Sequence, residues 1–147
     1  MSPDAPYTGR IADGEHRFAV RVYYEDTDAG GVVYHASYLR FMERARTDLL
    51  SGLGMDLAAS QGSGEGLYVV AELTIRYRAP ARLGDALLIT SRLQQITGSS
   101  LVVQQAVSRD GAEVAAATVR VVFVGPDGRP RRQPAHWVSA FRAMTGE

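Results

Sequence analysis

The fold of this chain is organised around residues 22–38, which read VYYEDTDAGGVVYHASY. The segment begins with the apolar end of a predicted strand, passes through an acidic turn containing Gly30 and Gly31, and enters an amphipathic helix. A polar loop between two ordered elements is a common place for reactive side chains. The first turn of a helix also leaves backbone N–H groups unpaired at the positive end of the helix dipole. The segment therefore combines carboxylates, a histidine and an electropositive helix start.

The composition indicates one domain without a strong overall charge. The chain has 147 residues with 16 basic and 16 acidic side chains, so no net field favours nucleic acid or an anionic membrane. It contains no cysteine, which excludes disulfides and thiolate metal sites. Residues 1–15 are expected to be a flexible leader before a single domain at 16–147, with neither a signal peptide nor a membrane span. A cytoplasmic location is the default expectation.

A change of hydrophobic period after His35 predicts a long helix of about four turns. Ser37 is a candidate N-cap, and Gly52 and Gly54 are expected to end the helix. The apolar stripe consists of Tyr38, Met42, Ala45, Leu49 and Leu53. The polar side, which we expect to face solvent, carries Arg40, Glu43, Arg44, Arg46 and Asp48.

Five strands are predicted, one before the acidic turn and four after the helix. Residues 17–24 alternate between apolar and polar, as a half-buried strand does. Residues 60–66 are expected to form a flexible loop, and four apolar segments follow at 67–78, 85–96, 100–109 and 112–124. Asp110-Gly111 is a strong hairpin signal between the last two. Pro134 at a first helical position, followed by Trp137 and Phe141, predicts a short terminal helix.

These elements predict an α+β fold in which a curved, five-stranded antiparallel sheet lies against one long helix, with a short C-terminal helix. The last strand is apolar on both faces, with Val119 and Phe123 on one face and Val122 and Val124 on the other. One helix covers only one face of a sheet. We therefore expect a partner chain to bury the second face or an edge, and predict a homo-oligomer.

Several familiar site motifs are incomplete or absent. Residues 26–31 resemble the start of a calcium loop, but the fifth and twelfth positions are Gly30 and Ser37 instead of oxygen ligands of the expected kind. His16, His35 and His136 are isolated, so no histidine metal motif occurs. A serine-hydrolase elbow and phosphate-binding glycine loops are also missing. Carboxylate chemistry assisted by a helix terminus is what remains.

Three motifs resemble those of a known family. Residues 22–38 with FMERART at 41–47, YRAPARLGD at 77–85 and TGSSL at 97–101 are similar to hotdog-fold acyl-CoA thioesterases of the 4-hydroxybenzoyl-CoA thioesterase superfamily. Within it they resemble the YbgC-type, Tol–Pal-associated group, over about residues 18–125. The resemblance implies a sheet wrapped around one helix, edge-to-edge dimers or tetramers with active sites at the dimer interface, and an acyl-CoA substrate. It implies no metal or other cofactor.

The resemblance also implies roles for individual residues. The catalytic acid falls on Asp28, which either attacks the thioester carbonyl or activates a water, and the carbonyl-binding backbone N–H falls at His35. The His35 side chain is a further candidate for holding the acyl carbonyl or the departing thiol. Candidate substrate-binding residues, including arginines suited to the phosphates of coenzyme A, are Tyr24, Gly31, Tyr34, Arg76, Arg78 and Arg82.

Two alternative functions are left open by the sequence. The thioester could be carried by acyl carrier protein, whose acidic surface would meet the basic residues of this chain. A second alternative is a non-catalytic module that binds acyl groups or proteins of the envelope Tol–Pal system. Its signature would be affinity for acyl-CoA without turnover.

Overall fold

The computed structural model describes residues 2–147, which form one curved antiparallel sheet and three helices. The strands are β1 (Arg10–Ala12), β2 (Glu15–Arg21), β3 (Leu67–Tyr77), β4 (Ala86–Ile96), β5 (Ser100–Arg109) and β6 (Ala112–Val124). The helices are α1 (His35–Gly52), α2 (Leu57–Gly62) and α3 (Ala135–Thr145), and a short 3-10 turn spans Tyr24–Asp26. No helix within residues 2–147 is both long enough and apolar enough to cross a membrane.

The order of the strands places β1 and β3 at the two edges of the sheet. The full order is β1-β2-β4-β5-β6-β3, and every pairing is antiparallel. The turn between β5 and β6 has positive φ at both Asp110 (52°) and Gly111 (82°), which matches the right-handed twist of the strands that it joins. Strands β3 to β6 therefore lie where the turn chemistry of the sequence predicted them.

Helix α1 packs its apolar stripe against the sheet, and this contact forms the core. Met42 and Ala45 are fully buried, and Phe41 and Leu49 are nearly so. The sheet contributes Ile89, Val107 and Val119, which are also fully buried. Each of these side chains except that of Ala45 stabilises the fold by about 1.5–3 kcal/mol relative to an exposed position. The predicted α+β architecture is confirmed, with a long helix lying against a curved sheet.

The structure differs from the sequence prediction at several element boundaries. The sheet has six strands, since Arg10–Ala12 pairs with β2 inside the segment that was expected to be a flexible leader. Helix α1 begins at His35 with Tyr34 at the N-cap position, so the prediction of Ser37 as the cap is wrong. Ser37 is buried in the first turn. A short helix, α2, occupies part of the predicted loop at 60–66, because Asp56 caps its start through the Ala59 N–H.

The polar side of α1 is not uniformly solvated, contrary to the sequence prediction. The Asp48 carboxylate accepts hydrogen bonds from the Gly9 N–H at 2.9 Å and from His16 Nε2 at 2.7 Å. His16 itself is only 1 % exposed. Arg46 donates to the buried Gln105 amide oxygen at 2.9 Å. The partners of Asp48 and Arg46 lie just before β1, in β2 and in β5. Helical spacing alone does not reveal contacts with such distant segments.

Candidate active site

The loop between β2 and α1 is held in shape by its own backbone. The Asp26 carboxylate accepts from the Tyr23 N–H at 2.8 Å, which closes the 3-10 turn. Thr27 and Val33 then pair as an antiparallel bridge, and the Tyr34 N–H donates to the Asp26 carbonyl at 2.9 Å. Residues 27–33 therefore form a small hairpin whose open end leads directly into α1.

Asp28 lies at the turn of this hairpin and is exposed to solvent. Its Oδ1 atom accepts from the Gly30 N–H at 2.8 Å and the Val32 N–H at 3.3 Å. Gly31 closes the turn with a hydrogen bond to the Asp28 carbonyl, at a φ of +81° that favours glycine. The Asp28 Oδ2 atom has no hydrogen-bond partner within residues 2–147. One carboxylate oxygen thus builds the turn while the other is available for chemistry.

The start of α1 presents unpaired backbone donors. Tyr34 at the N-cap position makes no side-chain capping bond, and no acidic residue lies in the first turn. The His35 N–H has no acceptor in the part of the chain that the structure describes. Such N–H groups, aligned with the helix dipole, attract negative charge. The His35 side chain is exposed, and its ring lies 4.4 Å from that of Tyr34.

An open cavity of about 320 Å³ adjoins the helix start. Its lining includes His35 and Tyr38 from α1 and Tyr77 from β3, but not Asp28. The Tyr77 hydroxyl donates to the His35 carbonyl at 2.7 Å, and the Tyr38 hydroxyl accepts from the Ala81 N–H at 3.2 Å. Burial raises the pKa of both tyrosines, and each therefore stays protonated at neutral pH. Neither tyrosine was predicted from the sequence as a site residue.

The segment before β4 braces the loop between β2 and α1 from the other side. The Val33 N–H donates to the Ala81 carbonyl at 2.8 Å, and Val32 pairs with Arg82. The Asp85 carboxylate holds this segment by accepting from the Arg82 N–H at 2.8 Å and from Arg109 at 2.9 Å. These hydrogen bonds, first that of the Arg82 N–H and then that of Arg109, lower the pKa of Asp85. The carboxylate is therefore charged throughout the neutral range.

The structure brings together only some of the predicted substrate-binding residues. Tyr34 lies against His35, and Arg78 lines the cavity while pairing with Glu113 at 2.6 Å. Tyr24 is 82 % exposed in the 3-10 turn. Arg76 lies with Arg78 in a separate shallow cleft, whose lining does not include His35. Arg82 and Gly31 contribute backbone geometry to the loop.

The architecture of one long helix packed against a curved antiparallel sheet, with a polar loop entering the helix, is that of the hotdog-fold thioesterases. Residues 22–143 match the family described as "Thioesterase-like superfamily". The acyl-CoA thioester hydrolase YbgC of Escherichia coli O157:H7 is 44 % identical over 128 residues, which cover 86 % of this chain and 95 % of that protein. The chain belongs to the thioesterase-like superfamily.

Solved structures give the same result. A probable thioesterase from Bartonella henselae superposes with a TM-score of 0.77 at 33 % identity, covering 82 % of this chain and 99 % of that one. A Thermus thermophilus thioesterase complexed with coenzyme A and zinc superposes with a TM-score of 0.77 at 28 % identity, covering 89 % and 94 %. The hotdog fold and the family that the sequence motifs indicated are both confirmed.

Proposed function

We propose that this chain is an acyl-CoA thioesterase, which hydrolyses the thioester to a free acid and coenzyme A, and that Asp28 and the start of α1 carry the reaction. Membership of the thioesterase family supports the activity. One observation supports the residue assignment. The loop that carries a fixed carboxylate with one unbonded oxygen ends at a helix start whose N–H groups are open.

The His35 N–H is the proposed donor to the thioester carbonyl. Negative charge develops on that oxygen when the carbonyl carbon becomes tetrahedral, and a preorganised donor then stabilises it more than it stabilises the ground state. Losing one such donor typically costs about 2.7–4 kcal/mol of transition-state stabilisation. Tyr77 holds the His35 carbonyl and so fixes the orientation of this peptide segment.

Asp28 is the proposed acid–base or nucleophilic group. As a base, its free oxygen takes a proton from water while the water oxygen attacks the carbonyl carbon. The C–S bond then breaks, and the departing sulfur takes up that proton and leaves as the thiol. As a nucleophile, the same oxygen attacks the carbon directly, the C–S bond breaks to expel the thiolate, and the resulting anhydride is later opened by water. We favour the first route, because in the single chain water reaches the exposed Asp28 carboxylate directly.

A single turnover in isotopically labelled water tests for the covalent route. Activation of water places the label in the released acid alone. Covalent attack leaves label in the Asp28 carboxyl after the anhydride opens on the protein side. We expect unlabelled protein, and labelled Asp28 would establish the covalent route.

The remaining predicted residues are proposed to hold the substrate. Tyr34 and the exposed Tyr24 offer flat apolar surfaces beside the loop, and Arg78 lies at the cavity with donors suited to a phosphate. Arg82 and Arg76 are more distant proposals, for the phosphates of coenzyme A at the edge of the site. Gly31 permits the turn that presents Asp28.

Assembly into dimers or tetramers is part of the same proposal, and the edge strand β3 supports it. Among residues 2–147, β3 pairs only with β6, and its Val69 and Val70 side chains are 41 % and 48 % exposed. An open apolar edge promotes association. Because Asp28 does not line the cavity at His35, we infer that a second copy pairing with β3 closes the site.

Sedimentation tests this assembly. We expect an oligomer, and we expect Val69→Lys to shift it toward monomer by placing a charge on the edge strand. Leu83→Lys is the matched control, because Leu83 is similarly exposed, at 44 %, but lies in the loop between β3 and β4 and not in the edge strand itself. A parent chain that sediments as a monomer at all concentrations would contradict the proposal.

Thiol release from a panel of acyl-CoA thioesters tests the activity itself. We expect turnover with some members of the panel, and affinity without turnover would instead favour the non-catalytic module. Comparing the same acyl group on coenzyme A and on acyl carrier protein shows which carrier is used; coenzyme A is our proposal. A cytoplasmic location is also proposed, because acyl-CoA is made there, and cell fractionation tests it.

A further inference from the structure

A second cavity of about 310 Å³ lies between α1 and the sheet. Most of its lining is apolar, including Leu49, Leu93, Leu101 and Val121. One side is polar and comes from Glu43, Arg46 and Thr47 on α1. Apolar cavities with a few placed polar groups are the usual form of small-molecule sites.

Arg46 is held rigidly at this cavity. Its Nη1 atom donates to the Gln105 amide oxygen at 2.9 Å. The Gln105 amide nitrogen donates in turn to the Met42 carbonyl at 3.0 Å and the Ser91 hydroxyl at 2.9 Å, which fixes which way the amide faces. Gln105 is only 1 % exposed. The guanidinium is therefore anchored at one nitrogen by a buried, fully bonded side chain.

The other Arg46 nitrogens have no protein partner and remain accessible. Within residues 2–147, no carboxylate lies within 4.0 Å of Arg46, and its only hydrogen bond is the one to Gln105. Among residues 2–147, His16 Nδ1 is the only buried side-chain polar atom that has no hydrogen-bond partner. The unbonded nitrogens of Arg46 are therefore not fully buried and reach open space. Burial lowers the pKa of Arg46 and the nearby, exposed Glu43 opposes that effect. The group is nonetheless a cation under all ordinary conditions.

The cavity lies along the same helix and the same strand as the cavity at the start of α1. Strand β3 and helix α1 line both cavities. They contribute Tyr68, Val70 and Arg46 to this one, and Tyr77 and His35 to the cavity at the helix start. Arg46 lies about 16 Å along the axis of α1 from His35, at the usual rise per residue. The cavity that contains Arg46 therefore lies farther along the same helix from the proposed position of the thioester, with no lining residue shared between the two cavities.

We propose that this cavity receives the acyl group and that Arg46 makes it selective for acyl groups that carry an acceptor oxygen, as a carboxylate or hydroxyl, away from the thioester. The proposal rests on the thioesterase function proposed above. An acyl group without such an oxygen leaves the partly desolvated guanidinium unpaired, which disfavours its binding. A guanidinium also bonds a carboxylate through paired donors, which favours that group further.

Paired substrates on one enzyme test the proposal. Hexanoyl-CoA is compared with adipyl-CoA and 6-hydroxyhexanoyl-CoA, which add a terminal carboxylate and a terminal hydroxyl. The readout is the ratio of kcat/KM for each oxygenated substrate to that of hexanoyl-CoA. Because both rates come from one protein sample, the ratio does not change when a variant is merely less stable.

Arg46→Met keeps the length of the side chain and removes its donors, and Arg44→Met is the matched control on an exposed position of the same helix. We expect at least one oxygenated substrate to be preferred by about tenfold or more, since a bond to a charged donor is of that strength. We expect Arg46→Met to abolish the preference and Arg44→Met to keep it. Equal rates in the parent enzyme, or a preference that survives Arg46→Met, would overturn the proposal.

The failure of the thioesterase function gives a different result. In that case none of the three thioesters is hydrolysed by any variant. Calorimetry then measures the affinities of the corresponding non-hydrolysable thioethers for the parent and for Arg46→Met. These affinities test the selectivity of the cavity without any need for turnover. Tighter binding of an oxygenated thioether that is lost in Arg46→Met supports the role of Arg46, and equal affinities contradict it.

Discussion

The Tyr77 hydroxyl donates a hydrogen bond of 2.7 Å to the backbone carbonyl of His35, and this bond ties an edge strand to the first residue of α1. The N–H of the same residue is the proposed donor to the thioester carbonyl. The orientation of that residue therefore depends on a side chain 42 positions away in the chain.

Tyr77→Phe should lower kcat by about three- to tenfold, because one hydrogen bond of ordinary strength no longer fixes the helix start. KM should change little if the bond matters mainly in the transition state. Tyr7→Phe is the control, since it also removes a tyrosine hydroxyl with a backbone partner, at an exposed position in the N-terminal segment. Steady-state kinetics measure both, and an unchanged kcat in Tyr77→Phe would show that the bond is not used.

Asp28→Asn should lower kcat by about 10²–10⁴-fold, the usual contribution of a general base. Asparagine keeps an oxygen that can accept from the Gly30 and Val32 N–H groups, so the turn should survive. The unfolding free energy of the Asp28→Asn variant should stay within about 1 kcal/mol of the parent value.

Asp26→Asn is the matched control for that change. It removes the same charge two positions earlier while keeping an acceptor for the Tyr23 N–H. We expect its turnover to stay within a few-fold of the parent. Near-normal turnover in Asp28→Asn would remove Asp28 from the mechanism.

The Asp85 carboxylate should make stability depend on acid pH. Its pKa is lower in the folded protein than its ordinary value of 3.8, because of the Arg82 N–H and Arg109. The stabilisation is therefore complete above the unfolded pKa and is lost as pH falls through the lower, folded pKa. Denaturant unfolding of the parent and of Asp85→Asn at pH 6 and pH 2.5 measures it. The parent should be the more stable variant at pH 6, and its advantage should be smaller at pH 2.5. A constant difference in unfolding free energy would contradict the assignment.

Asp48→Ala should destabilise the protein by about 2–4 kcal/mol, because it leaves the buried His16 and the Gly9 N–H without a partner. Asp56→Ala, which removes only the cap of α2, should cost about 1 kcal/mol. Urea unfolding ranks the two variants. The reverse order would show that the link between the N-terminal segment and α1 adds little.

Much of the fold could be predicted from local sequence signals. Strands β3 to β6 begin and end within one residue of the predicted bounds, because each is a continuous apolar segment and the Asp110-Gly111 pair marks the turn between the last two. The start of α1 was missed because no side chain caps it. Backbone pairing between Thr27 and Val33 fixes that point instead, and no residue preference reports it.

The residues of the loop and the helix start were predicted from the sequence as parts of the site, whereas the residues that surround them were not. Asp28 and His35 belong to a long contiguous motif, which a resemblance can carry. Tyr77 and Arg46 depend on partners from distant segments, so the sequence showed one as an ordinary strand residue and the other as part of a solvated helix face. Strand β1 was missed for the same reason, since the Asp48 carboxylate that holds Gly9 comes from α1.

Strand β3 is at once the open edge of the sheet and a wall of both cavities. A chain that pairs along this edge changes the affinity for a ligand held behind it to the extent that it reshapes either cavity. Thermodynamic reciprocity then requires the ligand to change the strength of pairing by the same factor. Dilution and substrate depletion would thus act on this molecule through a single coupled equilibrium.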